Sequence, residues 1–292
     1  MLTIEQVLAG IRLEPIADGR FSAPNIDYYG SGDNAASAAI ADVIFGGQLI
    51  AQAVVAASLS DPSKSVKTVT TVFARGGRVS EPVEIVVDQV ASGRTFATRT
   101  VSMIQSGKTI AESLVLMHAD EPDLVRHRQP APAVDPPDAP RTREQDHGDY
   151  MAAFVDGVDL GAATEQGPPD ASVWVRFGRA PDEAAGNQAL LAMVSLPFLT
   201  GIALRPHRGH SYEDAHLSIS SAVMSHSITF HEPARVDQWL LLDQTVPYAG
   251  RGRCFGRGEV YTQEGAIVAS FSQDGMIKAL VQPDNAPDGK RL

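Results

Sequence analysis

The sequence predicts an α+β fold of two tandem units, each an antiparallel sheet wrapped around one buried helix. Three observations predict it. An apolar, Ala-rich segment of helical length occurs twice, four strand-like segments follow each copy, and the two sets match residue by residue at a nearly constant spacing.

The first helical segment is GGQLIAQAVVAASLS, 46–60, stopped by Asp61-Pro62. The second is NQALLAMVSLPFLTGIAL, 187–204, where Pro197 should kink or restart the helix. Neither carries a broad polar face, so both read as core helices. The strand-like segments are 65–74, 82–92, 95–105 and 109–119, then 217–230, 238–246, 254–263 and 266–277. They are rich in Val, Ile, Thr and Phe and partly alternate. The last two of each set are joined by short turns, SGK and EGA, suited to hairpins. Arg99, Gln105, Gly107 and Ala111 recur as Arg257, Gln263, Gly265 and Ala269, each 158 residues on. Phe73, Arg78 and Val79 recur as Phe230, Arg235 and Val236, each 157 residues on. Several matches in one order indicate an internal duplication. A lone unit exposes a sheet edge; two units pair edge to edge, and the crevice between them is a natural ligand site.

Between the copies, residues 120–149 hold prolines at 130, 132, 136, 137 and 140, which oppose regular structure. The expected division is therefore an N-terminal domain over 1–119, a Pro-rich linker over 120–149 and a C-terminal domain over 150–292.

Composition narrows the function. The 292 residues carry a net charge of −11, which argues against nucleic-acid binding. No basic start followed by an apolar run marks a signal peptide, and no apolar run reads as a membrane span, so the cytoplasm is the expected compartment and no membrane insertion is expected. One cysteine, Cys254, rules out an internal disulfide and a thiolate metal cluster. His226 and His231 lack an evident third ligand, so no metal is expected. No G-x-S-x-G elbow, P-loop or dinucleotide fingerprint is present.

The segments IFGGQLIAQAVVAAS (44–58), SGRTFATRTVSMIQSGKTI (92–110) and SHSITF through DGMI (225–277) together resemble the acyl-CoA thioesterase II family. The resemblance implies a double hot-dog fold, hydrolysis of fatty acyl-CoA by direct attack of a bound water, no cofactor, and a homo-oligomer, since such folds often pair again. The family holds its water with an Asp, a Thr and a Gln from the second domain. The Gln falls on Gln273, the Thr on Val223 in AVMSHS, and the Asp on Leu196 in SLPFLTGIALRPH; a family His falls on Thr70. Leucine and valine can neither take a proton nor bind water. The scaffold is thus expected with an altered site, in which Gln273 with Ser221 or Ser225 orients the water; on a regular strand both serines share the face of Val223. Gly46, Gly47 and Gln48 are expected at the substrate. Arg205 and His207 are expected at the coenzyme A phosphates, with Arg75, Arg78, Arg251 and Arg253 as similar basic loops. Two other readings compete: an acyl-CoA or acyl-chain binding protein without catalysis, and a hydratase, which lacks its Asp/His pair.

Overall fold

A computed structural model of the protein describes residues 2–29 and 42–280; residue 1 and residues 281–292, the ends of the two expected domains, lie outside these. A short helix α1 (Ile4–Ile11) and a hairpin of β1 (Glu14–Ala17) and β2 (Arg20–Ala23) precede the core helix α2 (Gly46–Ser60). Four strands follow: β3 (Ser65–Phe73), β4 (Val83–Ser92), β5 (Phe96–Gln105) and β6 (Lys108–His118). The second half contains β7 (Arg143–Asp146), β8 (Tyr150–Phe154), β9 (Asp170–Phe177), α3 (Ala184–Val194) and α4 (Leu199–Leu204). It closes with β10 (Ile219–Phe230), β11 (Leu240–Gly250), β12 (Arg253–Thr262) and β13 (Ile267–Ala279).

Among the described residues thirteen strands form one antiparallel sheet in the order β1-β2-β4-β5-β6-β3-β10-β13-β12-β11-β9-β8-β7. The halves meet at β3 and β10, where Thr70 pairs with Ser227 and their hydroxyls lie 2.8 Å apart. That pair is separated by 157 residues, the spacing of the duplication, and the flanking pairs are symmetric about it: Thr68 with Thr229, Val72 with Ser225. The pseudo-two-fold axis therefore passes through Thr70 and Ser227. The edge that each unit would expose alone is satisfied by the other. At the β5–β6 turn Ser106 and Gly107 both take positive φ, the geometry a two-residue hairpin turn requires.

Helix α2 is buried nearly all round, and its two interior amides are bonded rather than exposed. Gln48 accepts from the Ile26 N–H at 2.8 Å and donates to Asn25; Gln52 donates to the Gly10 carbonyl at 2.8 Å. Helices α2 and α3 touch at Gly47, where a side-chain carbon would lie 2.8 Å from the Met193 carbonyl. Glycine is required there by the approach of the backbones. Pro197 does break the second apolar segment, between α3 and α4. Residues 184–204 are apolar enough by composition to cross a membrane, but 89% of that window is buried inside the fold, as befits a core helix.

The Pro-rich stretch is packed rather than free. Ala131 and Val134 cover an outer-face cluster of Ala153, Val155, Trp174, Leu241 and Tyr261, and the Trp174 indole donates to the Asp135 carbonyl at 2.9 Å. Past its last proline the chain forms β7, which pairs with β8 at the sheet edge. The expected linker 120–149 thus contains a strand, because REQD has donors that the proline stretch lacks.

Candidate active site

The turn before α2, the end of β3, the break between α3 and α4, and the start of β10 enclose a cavity of about 280 Å³ on the joint between the halves. Leu196 and Pro197 come from the helix break, and Ser221, Ala222 and Val223 from β10. The N-terminus of α2 opens into it. Phe45 supplies no side-chain cap there; its carbonyl takes the Gln48 N–H at 3.0 Å, and the N–H groups of Gly46 and Gly47 are the first-turn donors left without a partner among the described residues. A side-chain carbon on Gly46 would lie 3.1 Å from the Phe73 ring and 3.6 Å from Leu196 Cδ1. Leu196 therefore presents a methyl group beside a helix N-terminus, an end suited to hold negative charge.

The structure brings Gly46, Leu196, Val223, Ser221 and Arg75 to this chamber and keeps the other expected residues out of it. Ser225 is turned away by a β-bulge: register shifts between Val223 and Ser225, so Met224 is the extra residue and the parity of the strand reverses. Ser225 instead donates to Asp274 on the opposite face at 3.3 Å. Regular alternation was the wrong premise for that residue. Thr70 faces outward on the central joint. Gly47 is packed between Phe45 and Met193, and Gln48 is bonded to the 25–26 segment. Arg205 donates to the Asp170 carbonyl and lies on a separate depression with Asp159 and His210. His207 is exposed and is not in the chamber wall. Arg78 is held by Asp42 at 2.8 Å, whereas Arg75 reaches the cavity and has no ion-pair partner among the described residues.

Gln273 is 2% exposed and lies behind the chamber on β13, opposite His226. Its Oε1 is 3.0 Å from His226 Nδ1, His226 Nε2 is 2.9 Å from Ser195 Oγ, and Ser195 Oγ is 2.9 Å from the Ala192 carbonyl. Burial pushes the His226 pKa down to about 4, against the opposing pull of the Gln273 hydrogen bond, so the imidazole is neutral and has a single N–H to give. The Gln273 Nε2 is buried and has no partner among the described residues. A buried donor of this kind costs stability unless something fills it.

Sequence reasoning missed His216. It lines the cavity, on the loop between α4 and β10, with a backbone φ of 67° that non-glycine residues seldom adopt. Its N–H donates to the Ile219 carbonyl at 2.7 Å, which holds the turn. Burial lowers its pKa below the ordinary 6.5, so at pH 7 it is a neutral base. Thr200 on α4 also lines the chamber and is 6% exposed. Neither residue lies at a position where the resemblance placed catalysis, and a single histidine in a loop gives no sequence signal of its own.

Residues 35–118 match the model of the acyl-CoA thioesterase N-terminal domain, and residues 127–277 that of the acyl-CoA thioesterase C-terminal domain. The chain belongs to the acyl-CoA thioesterase family. It is 26% identical over 265 residues to acyl-coenzyme A thioesterase 8 of Homo sapiens, covering 82% of each chain. It is 24% identical over 259 residues to acyl-CoA thioesterase 2 of Haemophilus influenzae, covering 80% of this chain and 87% of the relative. The structure of an acyl-CoA thioesterase II, TesB2, from Mycobacterium marinum superposes with a TM-score of 0.77 at 25% identity, covering 95% of this chain and 99% of that one. A hot-dog protein of Alicyclobacillus acidocaldarius superposes at 0.72. The double hot-dog fold is thus established for this member of the acyl-CoA thioesterase family.

Proposed function

We propose that the protein hydrolyses acyl-CoA thioesters to the free acid and coenzyme A by direct attack of water, with His216 as the base. One observation carries the reading: a single chamber contains both the uncapped N-terminus of α2 and a neutral imidazole. Water attacks the thioester carbonyl and gives its proton to His216. The oxyanion faces the N–H groups of the first turn of α2. When the C–S bond breaks, the imidazolium returns the proton to the departing thiolate. Arg75 at the rim suits a phosphate of coenzyme A, and the methyl groups of Leu196 and Val223 suit an acyl chain.

The apolar pair Leu196 and Val223 favours a second reading, an acyl-CoA binding protein without turnover. Thiol release from a panel of short- to long-chain acyl-CoAs separates the two. The expected result is turnover, reduced roughly 100-fold or more in His216→Asn, a residue that tolerates positive φ. Gln273→Ala should reduce it as well. A wild type inert at every chain length, yet binding acyl-CoA, refutes catalysis; turnover gained by Leu196→Asp would then locate what the site lacks.

A further inference from the structure

The pseudo-two-fold axis implies a twin for every feature of the joint, and the cavity has one. A second cavity of about 340 Å³ is built from the same parts of the opposite halves. Its wall holds the first turn of α3 (Ala184, Asn187) where the first holds that of α2. It holds Phe230 and the loop to Arg235 where the first holds Phe73 and its loop, and Val66 at the start of β3 where the first holds Val223 at the start of β10. Val66 and Val223 are 157 residues apart, as are Phe73 and Phe230. The volume is within the roughly 300–1,000 Å³ of small-molecule sites.

The twin has diverged at its mouth. Residues 126–129 of the linker and Ile267 line a groove that shares His231 and Glu232 with the cavity. Arg126 is bound to Glu232 at 2.6 Å, which cancels that acid. Arg128 is exposed and has no ion-pair partner among the described residues, an uncompensated cation on a chain of net charge −11, and the exposed His127 beside it offers a ring N–H donor. Just before them Leu124 and Val125 stand 96% and 78% exposed, an apolar pair that nothing in the described chain covers. Asp120 and Asp182 on the wall can accept from amide N–H groups.

We propose that this twin cavity is a second, non-catalytic binding site for coenzyme A or its thioesters. The phosphates lie on His127 and Arg128, the pantetheine amides face Asp120 and Asp182, and the thiol or acyl end enters between α3 and β3. The ligand class rests on the thioesterase reading of the first chamber. The wall has two histidines of its own, but His231 Nε2 is held by Ser270 Oγ at 2.9 Å and His118 is the last residue of β6, so neither is free in a loop as His216 is, and occupancy there leads to no hydrolysis.

The test is isothermal titration calorimetry of the full chain with S-dodecyl-coenzyme A, a thioether that cannot be hydrolysed, beside thiol release from dodecanoyl-CoA. Two sites per chain are expected. Ala184→Trp, which places a ring at an exposed wall position, should abolish one site and leave thiol release unchanged. His127→Ala with Arg128→Ala should weaken that same site about tenfold or more, and raised salt should do likewise in the wild type. Free coenzyme A and dodecanoate are titrated in parallel. Free coenzyme A filling the second site assigns recognition to the nucleotide end, and the thioether alone filling it assigns recognition to the whole molecule; both support the proposal. Dodecanoate alone filling it overturns the proposal, since the phosphates are then not recognised. One site per chain with normal turnover overturns this inference and leaves the first chamber's reading intact. No binding and no turnover overturns both.

Discussion

Asp149 should make the fold less stable as pH rises, and Asp149→Asn should remove that penalty. The residue lies just before β8, is 2% exposed, and its Oδ2 is buried without a partner among the described residues. Burial pushes its carboxyl from 3.8 up to about 7, although the N–H groups of Asp149 and Tyr150 pull the other way. Below pH 3.8 the acid is neutral in both folded and unfolded chains and costs nothing. As pH rises from there to about 7, the unfolded chain releases the proton while the fold retains it, and stability drains away. Above about 7 the loss is complete. A gap of about three pK units at 1.36 kcal/mol each makes it about 4 kcal/mol, an upper bound because a charged group draws in water. Asparagine keeps the shape without the charge. The variant should therefore match the wild type near pH 4 and exceed it at pH 8 by an increment of order 10 °C in Tm, taking roughly 2–4 °C per kcal/mol. Differential scanning calorimetry from pH 4 to 9 on both proteins measures it, and the difference between them cancels every other titrating group. Equal Tm values at pH 8, or a shift that is the same at all pH values, would refute the reasoning.

His226 should act with the opposite slope. Its pKa falls from 6.5 to about 4 on folding, so its neutral form supports stability above pH 6.5 and that support is lost as pH drops towards 4, by about 3 kcal/mol; His226→Asn should flatten this acid limb in the same calorimetric scan. Gly47→Ala puts a carbon 2.4 Å from the Phe45 ring and 2.8 Å from a backbone carbonyl, and urea unfolding should register a loss of about 1–3 kcal/mol. Trp174→Phe removes the bond to the Asp135 carbonyl, worth about 1 kcal/mol, and limited proteolysis should cut within 120–142 faster than in the wild type.

The core helices and the eight strands that follow them were legible because their burial is written in composition: α2 spans 46–60 as its Ala-rich segment does. The joint was legible through the 157-residue spacing, which the Thr70–Ser227 pair repeats in space. What escaped depended on three-dimensional exceptions. The bulge at Met224 changes the facing of Ser225, and nothing in AVMSHS marks it. Strands β1, β2 and β7 are four residues each and β8 five, too short for a periodic pattern, and the eight-residue β9 was missed because it precedes the second core helix rather than following it. His216 enters the chamber only because its loop folds back through a positive φ. Arg205 and His207 looked apt for phosphates, but their loop runs elsewhere.

The joint at β3 and β10 also bears on how such a chain can change over generations. In a dimer of identical subunits each substitution is written twice, once on either side of the axis, so both sites must tolerate it. Here the two copies are encoded separately. Leu196 and His216 can define one chamber while a proline-rich strap, which has no mate among the described residues of the other half, shapes the second. Fusion released each side of the axis from the history of the other.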